Sequence, residues 1–195
     1  MARAGLTPDR LAQTGAMLAD EIGFEQVTAS ALARHFGVQV ASLYSHVRNT
    51  HDLKVRIAAV ALAEMADTAA VALAGRSGRD ALAALGNVYR DYARAHPGRY
   101  AAAQIRLTPA EAATTAGPRH SEMMRAVLRG YDLNDEDQVH AVRLLGSIFH
   151  GFVSLEQSGS FDHSTPGSDK SWTRILDSLD ATLRTWPTAG TSRLS

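Results

Sequence analysis

Eight histidines, a complete lack of cysteine and a Tyr-Ser-His run at 44–46 define the reactive inventory of this 195-residue chain. Without cysteine there is no disulfide framework, no thiolate nucleophile and no thiolate metal site. A histidine metal centre needs ligands on one face of an element. No His-Glu-x-x-His run occurs, and no two histidines stand four apart. His140 and His150, ten apart, would lie about 80° apart around a helix and far apart along it. Convergence of His120, His140 and His150 in space is the one arrangement left for an ion, and His150 beside Gly151 reads more simply as a close approach of two helices. A hydrolase is disfavoured, because there is no Gly-x-Ser-x-Gly elbow and no acidic pair in a recognisable setting. The expectation is a protein that is not an enzyme and has no cofactor.

Binding chemistry is better represented. Residues 36–49 read FGVQVASLYSHVRN. Leu43 and Val47 are one helical turn apart and suit an inward face, which leaves Tyr44 and His46 on a short segment to be offered to something outside.

The elements that hold this segment are helices. From Thr7, residues Leu11, Gly15, Leu18 and Ile22 fall on one helical face, with Pro8 suited to a first turn and Gly23 to a stop. Thr28 is a natural N-cap for ASALARHF, and Gly37 ends that helix after two turns. A third short helix is expected at Val40–Val47. Asn49 or Thr50 then caps a long helix reaching about residue 74, with the stripe Leu53, Ile57, Ala61, Met65, Ala69 and Ala72. GRSGRD at 75–80 breaks the pattern. Leu82, Leu85, Val88, Tyr89 and Tyr92 mark a further helix ending at His96-Pro97-Gly98. Short helices are expected at 98–106 and 119–130 and stronger ones at 135–157 and 170–186, the last two separated by a polar Gly/Pro/Ser loop. No alternating strand pattern and no internal repeat occurs. The fold class is all-α.

Composition agrees with a folded protein: 45 % of residues are hydrophobic and 21 % charged. No apolar run approaches the roughly 18 residues of a membrane span, and the N-terminus has no signal-like stretch, so a cytoplasmic protein is expected. The formal charge is zero and the pI about 7.1, against a sequence-independent nucleic-acid coat. A small DNA-contacting face remains compatible.

Two short helices joined through glycine form a helix-turn-helix. Ala33 is small where the helices cross, Gly37 takes the turn, and Leu43 plugs the second helix into the core. At this point TASALARHFGVQVASLYSHVRNTHDL resembles the DNA-binding segment of the TetR/AcrR family of bacterial regulators, through Thr28, Leu32, Ala33, Gly37, Val38, Leu43, Tyr44 and His46. The C-terminal run SIFHGFVSLEQSG resembles a subgroup carrying a His-Gly pair.

The resemblance implies an N-terminal three-helix helix-turn-helix domain at 1–49. A long helix joins it to a C-terminal helical domain, and residues 50–195 bind an effector and dimerise. It implies that Gln39, Val40, Ala41 and Ser42 face base edges of double-stranded operator DNA, that Tyr44 and His46 reach phosphates, and that Thr28 clamps another at a helix start. Each has a plainer role open to it: Tyr44 packed on the long helix, His46 capping a turn, Gln39 solvated. The family's usual cations after the tyrosine and before the long helix are here Ser45 and Thr50. Residues 1–56 carry six Arg/Lys against five Asp/Glu, so a shallow salt dependence is expected, with Arg3 or Arg48 as compensating contacts. Tyr89, Tyr92, Tyr100, Gln104, Met123, Met124 and Phe149 are the candidate lining for a small hydrophobic effector. The apolar faces of 135–157 and 170–186 suggest a homodimer. The expected function is a ligand-responsive repressor binding a palindrome. The competing reading is a helical small-molecule or protein-interaction module whose DNA-binding face has decayed.

Overall fold

The computed structural model describes residues 5–187; Arg3 lies outside them. Among the described residues the chain forms ten α-helices and no strand. These are α1 (Pro8–Ile22), α2 (Ala29–Phe36), α3 (Val40–Leu43), α4 (Thr50–Leu73), α5 (Gly78–Ala95), α6 (Pro97–Ala103), α7 (Pro109–Ala113), α8 (Gly117–Leu128), α9 (Asp135–Gln157) and α10 (Ser168–Arg184). A 3-10 turn at Phe24–Gln26 links α1 to α2. None is long and apolar enough to cross a membrane.

The chain divides into two compact units. The first comprises residues 1–67 and 92–118, the second 68–91 and 119–195.

In the first unit, α1 packs on α2, on the 3-10 turn and on α6, while α2 packs on α3. Thr7 caps α1, accepting from Arg10 N at 3.1 Å, and Pro8 occupies the first turn. Leu11 and Leu18 of the expected face are buried, whereas Ile22 is exposed. Gly15 is required by packing: a Cβ there would lie 2.6 Å from Ile57 Cδ1. The α4 stripe from Leu53 to Ala69 is buried as its spacing predicts.

Charged groups tie this unit together. Asp20 receives Arg99 N at 2.9 Å, Arg99 Nε at 3.0 Å and His96 Nδ1 at 3.0 Å. Glu64 on α4 accepts from Tyr92 Oη at 2.6 Å and from Arg99 Nη1 at 3.2 Å. Burial and the adjacent Glu64 carboxylate push the Tyr92 phenol well above its ordinary pKa.

The second unit is built around Leu82, Leu85, Leu128, Leu145, Phe149, Trp172 and Leu183. A buried cation crosses it. Arg90 binds Glu156 through both Nε (2.9 Å) and Nη2 (2.6 Å) and reaches Asp169 at 2.7 Å, over the rings of Phe152 and Trp172.

Several bounds differ from expectation. The third helix stops at Leu43 rather than Val47, because Ser45 Oγ donates to Ser42 O at 2.7 Å and His46 N bonds three residues back to Leu43 O. The segment expected to be helical to 106 ends at Ala103, and α7 stands between the two short helices expected at 98–106 and 119–130, held by a reciprocal capping box between Thr108 and Glu111. The apolar residues of α9 and α10 that suggested dimerisation, Leu145, Phe149, Phe152, Leu176, Leu179 and Leu183, are buried in their own unit. The outward side of α9 carries His140, Arg143, Ser147 and His150 together with the exposed apolar side chains of Val139 and Leu155.

Candidate nucleic-acid interface

Thr28 enters α2 with extended backbone, and its Oγ1 accepts from Ala31 N at 3.1 Å. Gly37 closes α2 in the left-handed region (φ 64°, ψ 35°), the conformation that favours glycine. This turn delivers α3 against α2, with Leu32, Ala33 and Leu43 sealed in the core.

What α3 leaves outside is the set of residues that the resemblance assigns to DNA. Gln39 precedes the first turn with an exposed side chain that makes no capping bond. Ala41 and Ser42 are exposed, and Val40 is half-buried against the core. Tyr44 is 48 % exposed. His46 is half-buried, Thr28 and Thr50 are exposed, and the Arg48 side chain is 83 % exposed.

The start of α4 is over-determined. Asn49 Oδ1 accepts from Asp52 N at 2.8 Å. Asp52 Oδ2 accepts from Arg48 N at 3.0 Å, its Oδ1 from Arg48 Nη2 at 3.1 Å, and Oδ2 also from Arg56 Nε at 3.2 Å. Burial alone would push this carboxyl up, but the combined hydrogen bonds and charges of Arg48 and Arg56 hold it below its ordinary pKa. This clasp was visible as Arg-x3-Asp-x3-Arg spacing yet was not read from the sequence. Lys54 is turned away to Glu25 (2.7 Å) and the Phe24 ring.

The expected effector residues are divided between the units. Tyr92 and Tyr100 are buried and Gln104 exposed in the first. Tyr89, Met123, Met124 and Phe149 belong to the second. There Tyr89 Oη lies 2.7 Å from His120 Nδ1, with the Phe149 ring 6.0 Å from that of Tyr89. His120 is buried by this pairing, whereas His140 and His150 are exposed on α9. Met123 lines an open groove of about 460 Å³ with Ala70, Arg119, Glu122, Ala126 and Arg129.

Comparison with known proteins decides the family. A family model described as the tetracyclin repressor-like C-terminal domain matches residues 82–179. The HTH-type transcriptional regulator Rv0681 of Mycobacterium tuberculosis is 32 % identical over 161 residues, spanning 82 % of this chain and 74 % of that one. This chain belongs to the TetR family of helix-turn-helix transcriptional regulators. A second relative, the HTH-type transcriptional regulator YobS of Bacillus subtilis, is 26 % identical over 184 residues, covering 94 % of this chain and 92 % of its own. A TetR variant from Acinetobacter baumannii, solved in complex with minocycline, shares the fold with a TM-score of 0.70 at 23 % identity, over 92 % of this chain and 97 % of that one. TetR-family regulators bind DNA, dimerise and bind small ligands.

Proposed function

We propose that this TetR-family chain is a cytoplasmic, dimeric repressor that binds a near-palindromic operator and releases it on binding a small, largely uncharged hydrophobic effector. The observation carrying this reading is the exposed row Gln39, Ala41, Ser42 and Tyr44 on a turn fixed by Gly37 and Leu43. Residues 1–49 form the reading domain and 50–195 carry effector binding and dimerisation. Gln39 reads adenine through its amide, while Val40 and Ala41 contact thymine methyl groups, beside Ser42. Tyr44, His46, Arg48, Thr50 and the capped start of α2 at Thr28 hold phosphates and set the register. A one-turn reading helix is too small for specific affinity alone, and two copies reading two half-sites supply the rest.

Effector contacts are assigned within the second unit to Tyr89, Met123, Met124 and Phe149, with His120 added as the hydrogen-bond partner of Tyr89. The Acinetobacter relative carrying minocycline supports a small-molecule effector. In the first unit, the Asp20–Arg99–Glu64–Tyr92 network binds α1, α4, α5 and α6 into one body, so a tilt of α4 carries the reading helix with it. DNA affinity then falls by the coupling free energy.

The test is in vitro selection of duplexes from a random pool by the full-length protein at about 0.15 M salt. Enrichment of an inverted repeat is expected. A folded, dimeric protein that enriches no sequence would instead favour an interaction module with a decayed DNA-binding face.

A further inference from the structure

Between α3 and the first turn of α4 the exposed positions Ser45 and Thr50 carry no charge. Ser45 Oγ is engaged on Ser42 O, and Thr50 is neutral. Lys54, the next cation along the chain, points to Glu25 and Phe24. Arg48 stands between the reading helix and α4 with its side chain 83 % exposed, while the carboxylate that grips it, Asp52, is only 7 % exposed. That carboxylate is itself fixed from two further sides, by Arg48 N and by Arg56 Nε. A flexible arginine is thereby anchored at Nη2 on a rigid helix start, with the rest of its planar fork at the surface.

We propose that Asp52 is a positioning residue for DNA binding, holding the Arg48 guanidinium as a pre-set clamp on an operator phosphate. This rests on the DNA-binding reading given above. Arg48 supplies the cationic contact that positions 45 and 50 do not, and Asp52 removes the entropy cost of ordering it on binding. Arg56 offsets the negative charge that Asp52 would otherwise place near DNA. Simple electrostatics and positioning predict opposite signs for loss of that charge. Removing a carboxylate near a polyanion strengthens binding if charge alone matters, and weakens it if the carboxylate orients the clamp.

The experiment measures affinity for the selected operator across a salt series, for the wild type, Asp52→Asn, Arg48→Ala and the double variant. Expected are a loss of about tenfold in Asp52→Asn, a salt slope reduced by about 0.9 in Arg48→Ala, and no further loss from Asp52→Asn once Arg48 is absent. Binding by Asp52→Asn equal to or tighter than wild type, or additive losses in the double variant, overturns the proposal. Circular dichroism checks the fold of each variant. Should Asp52→Asn unfold, Arg48→Lys takes its place: it keeps the charge and the slope but loses the fork, and an unchanged affinity there overturns the proposal. A wild type that selects no sequence removes the DNA-binding reading itself, an outcome distinct from a wild type that binds and an Asp52→Asn variant that binds equally well.

Discussion

Gly98 rests on the backbone of Ala19, so closely that a methyl group placed on it would overlap the Ala19 carbonyl and lie 2.6 Å from Asp20 N. The neighbouring Asp20 carboxylate clasps Arg99 and His96 at the same crossing of α1 and α6. Backbone cannot yield as a side chain can. Gly98→Ala is expected to cost about 3 kcal/mol or more, beyond ordinary overpacking, and urea denaturation of the variant measures it. A stability within about 0.5 kcal/mol of wild type would mean the helices separate freely here.

The buried Arg90 predicts a second, non-additive effect. Arg90→Met removes the guanidinium that Glu156 binds through both oxygens and is expected to destabilise by about 3 kcal/mol. Arg90→Met combined with Glu156→Gln should recover most of that loss, because the largely buried carboxylate is then neutral and the remaining partner, Asp169, is 77 % exposed and keeps its hydration. Fluorescence-detected unfolding reads both, since Trp172 lies under the Arg90 guanidinium.

Alkaline titration gives a third test. Burial pushes Tyr100 up to about 12, and burial with a carboxylate partner raises Tyr92 and Tyr131 further, through Glu64 and Asp180. These phenols stay protonated in the fold while the unfolded chain ionises near 10. Stability is therefore full below about pH 10 and lost as pH rises toward the folded values. Tyrosinate absorbance should show Tyr92, Tyr100 and Tyr131 titrating late and together with loss of helical signal. Ionisation of these three near their ordinary value in the folded chain would contradict the packing described.

Much of this was written in local chemistry. Thr7, Thr28 and Gly37 act through caps and a left-handed turn, which need only the residues beside them, and the all-helical fold follows from the 3.6-residue stripes. Residues 107–118, between the expected short helices, carry no apolar stripe that would mark α7, although its Thr108-x-x-Glu111 box is legible. The contact between Tyr89 and His120 spans 31 residues and two helices, and no periodicity announces such a pairing. Most of the apolar residues of α9 and α10 that suggested a dimer seam are buried in their own unit, while Val139 and Leu155 of α9 stay exposed. Stripe width alone does not tell a core from an interface.

The dimer itself yields a fourth prediction. Gly146 sits within α9 with no neighbouring atom near a Cβ position. Gly146→Ala should stabilise a lone chain by about 0.5–1 kcal/mol. If a second copy packs on this side of α9, the same change weakens the dimer, read as a raised dissociation concentration in sedimentation. An unaltered dimer would place the interface elsewhere.

Base reading by α3 is tested by repeating the random-pool selection with Gln39→Ala beside the wild type. The same inverted repeat and spacing are expected, with preference lost at one base pair in each half-site, since the amide that discriminates adenine is gone. An unchanged preference at every position, from a variant as stable as the wild type, would contradict base reading by α3 and take Gln39 out of the major groove.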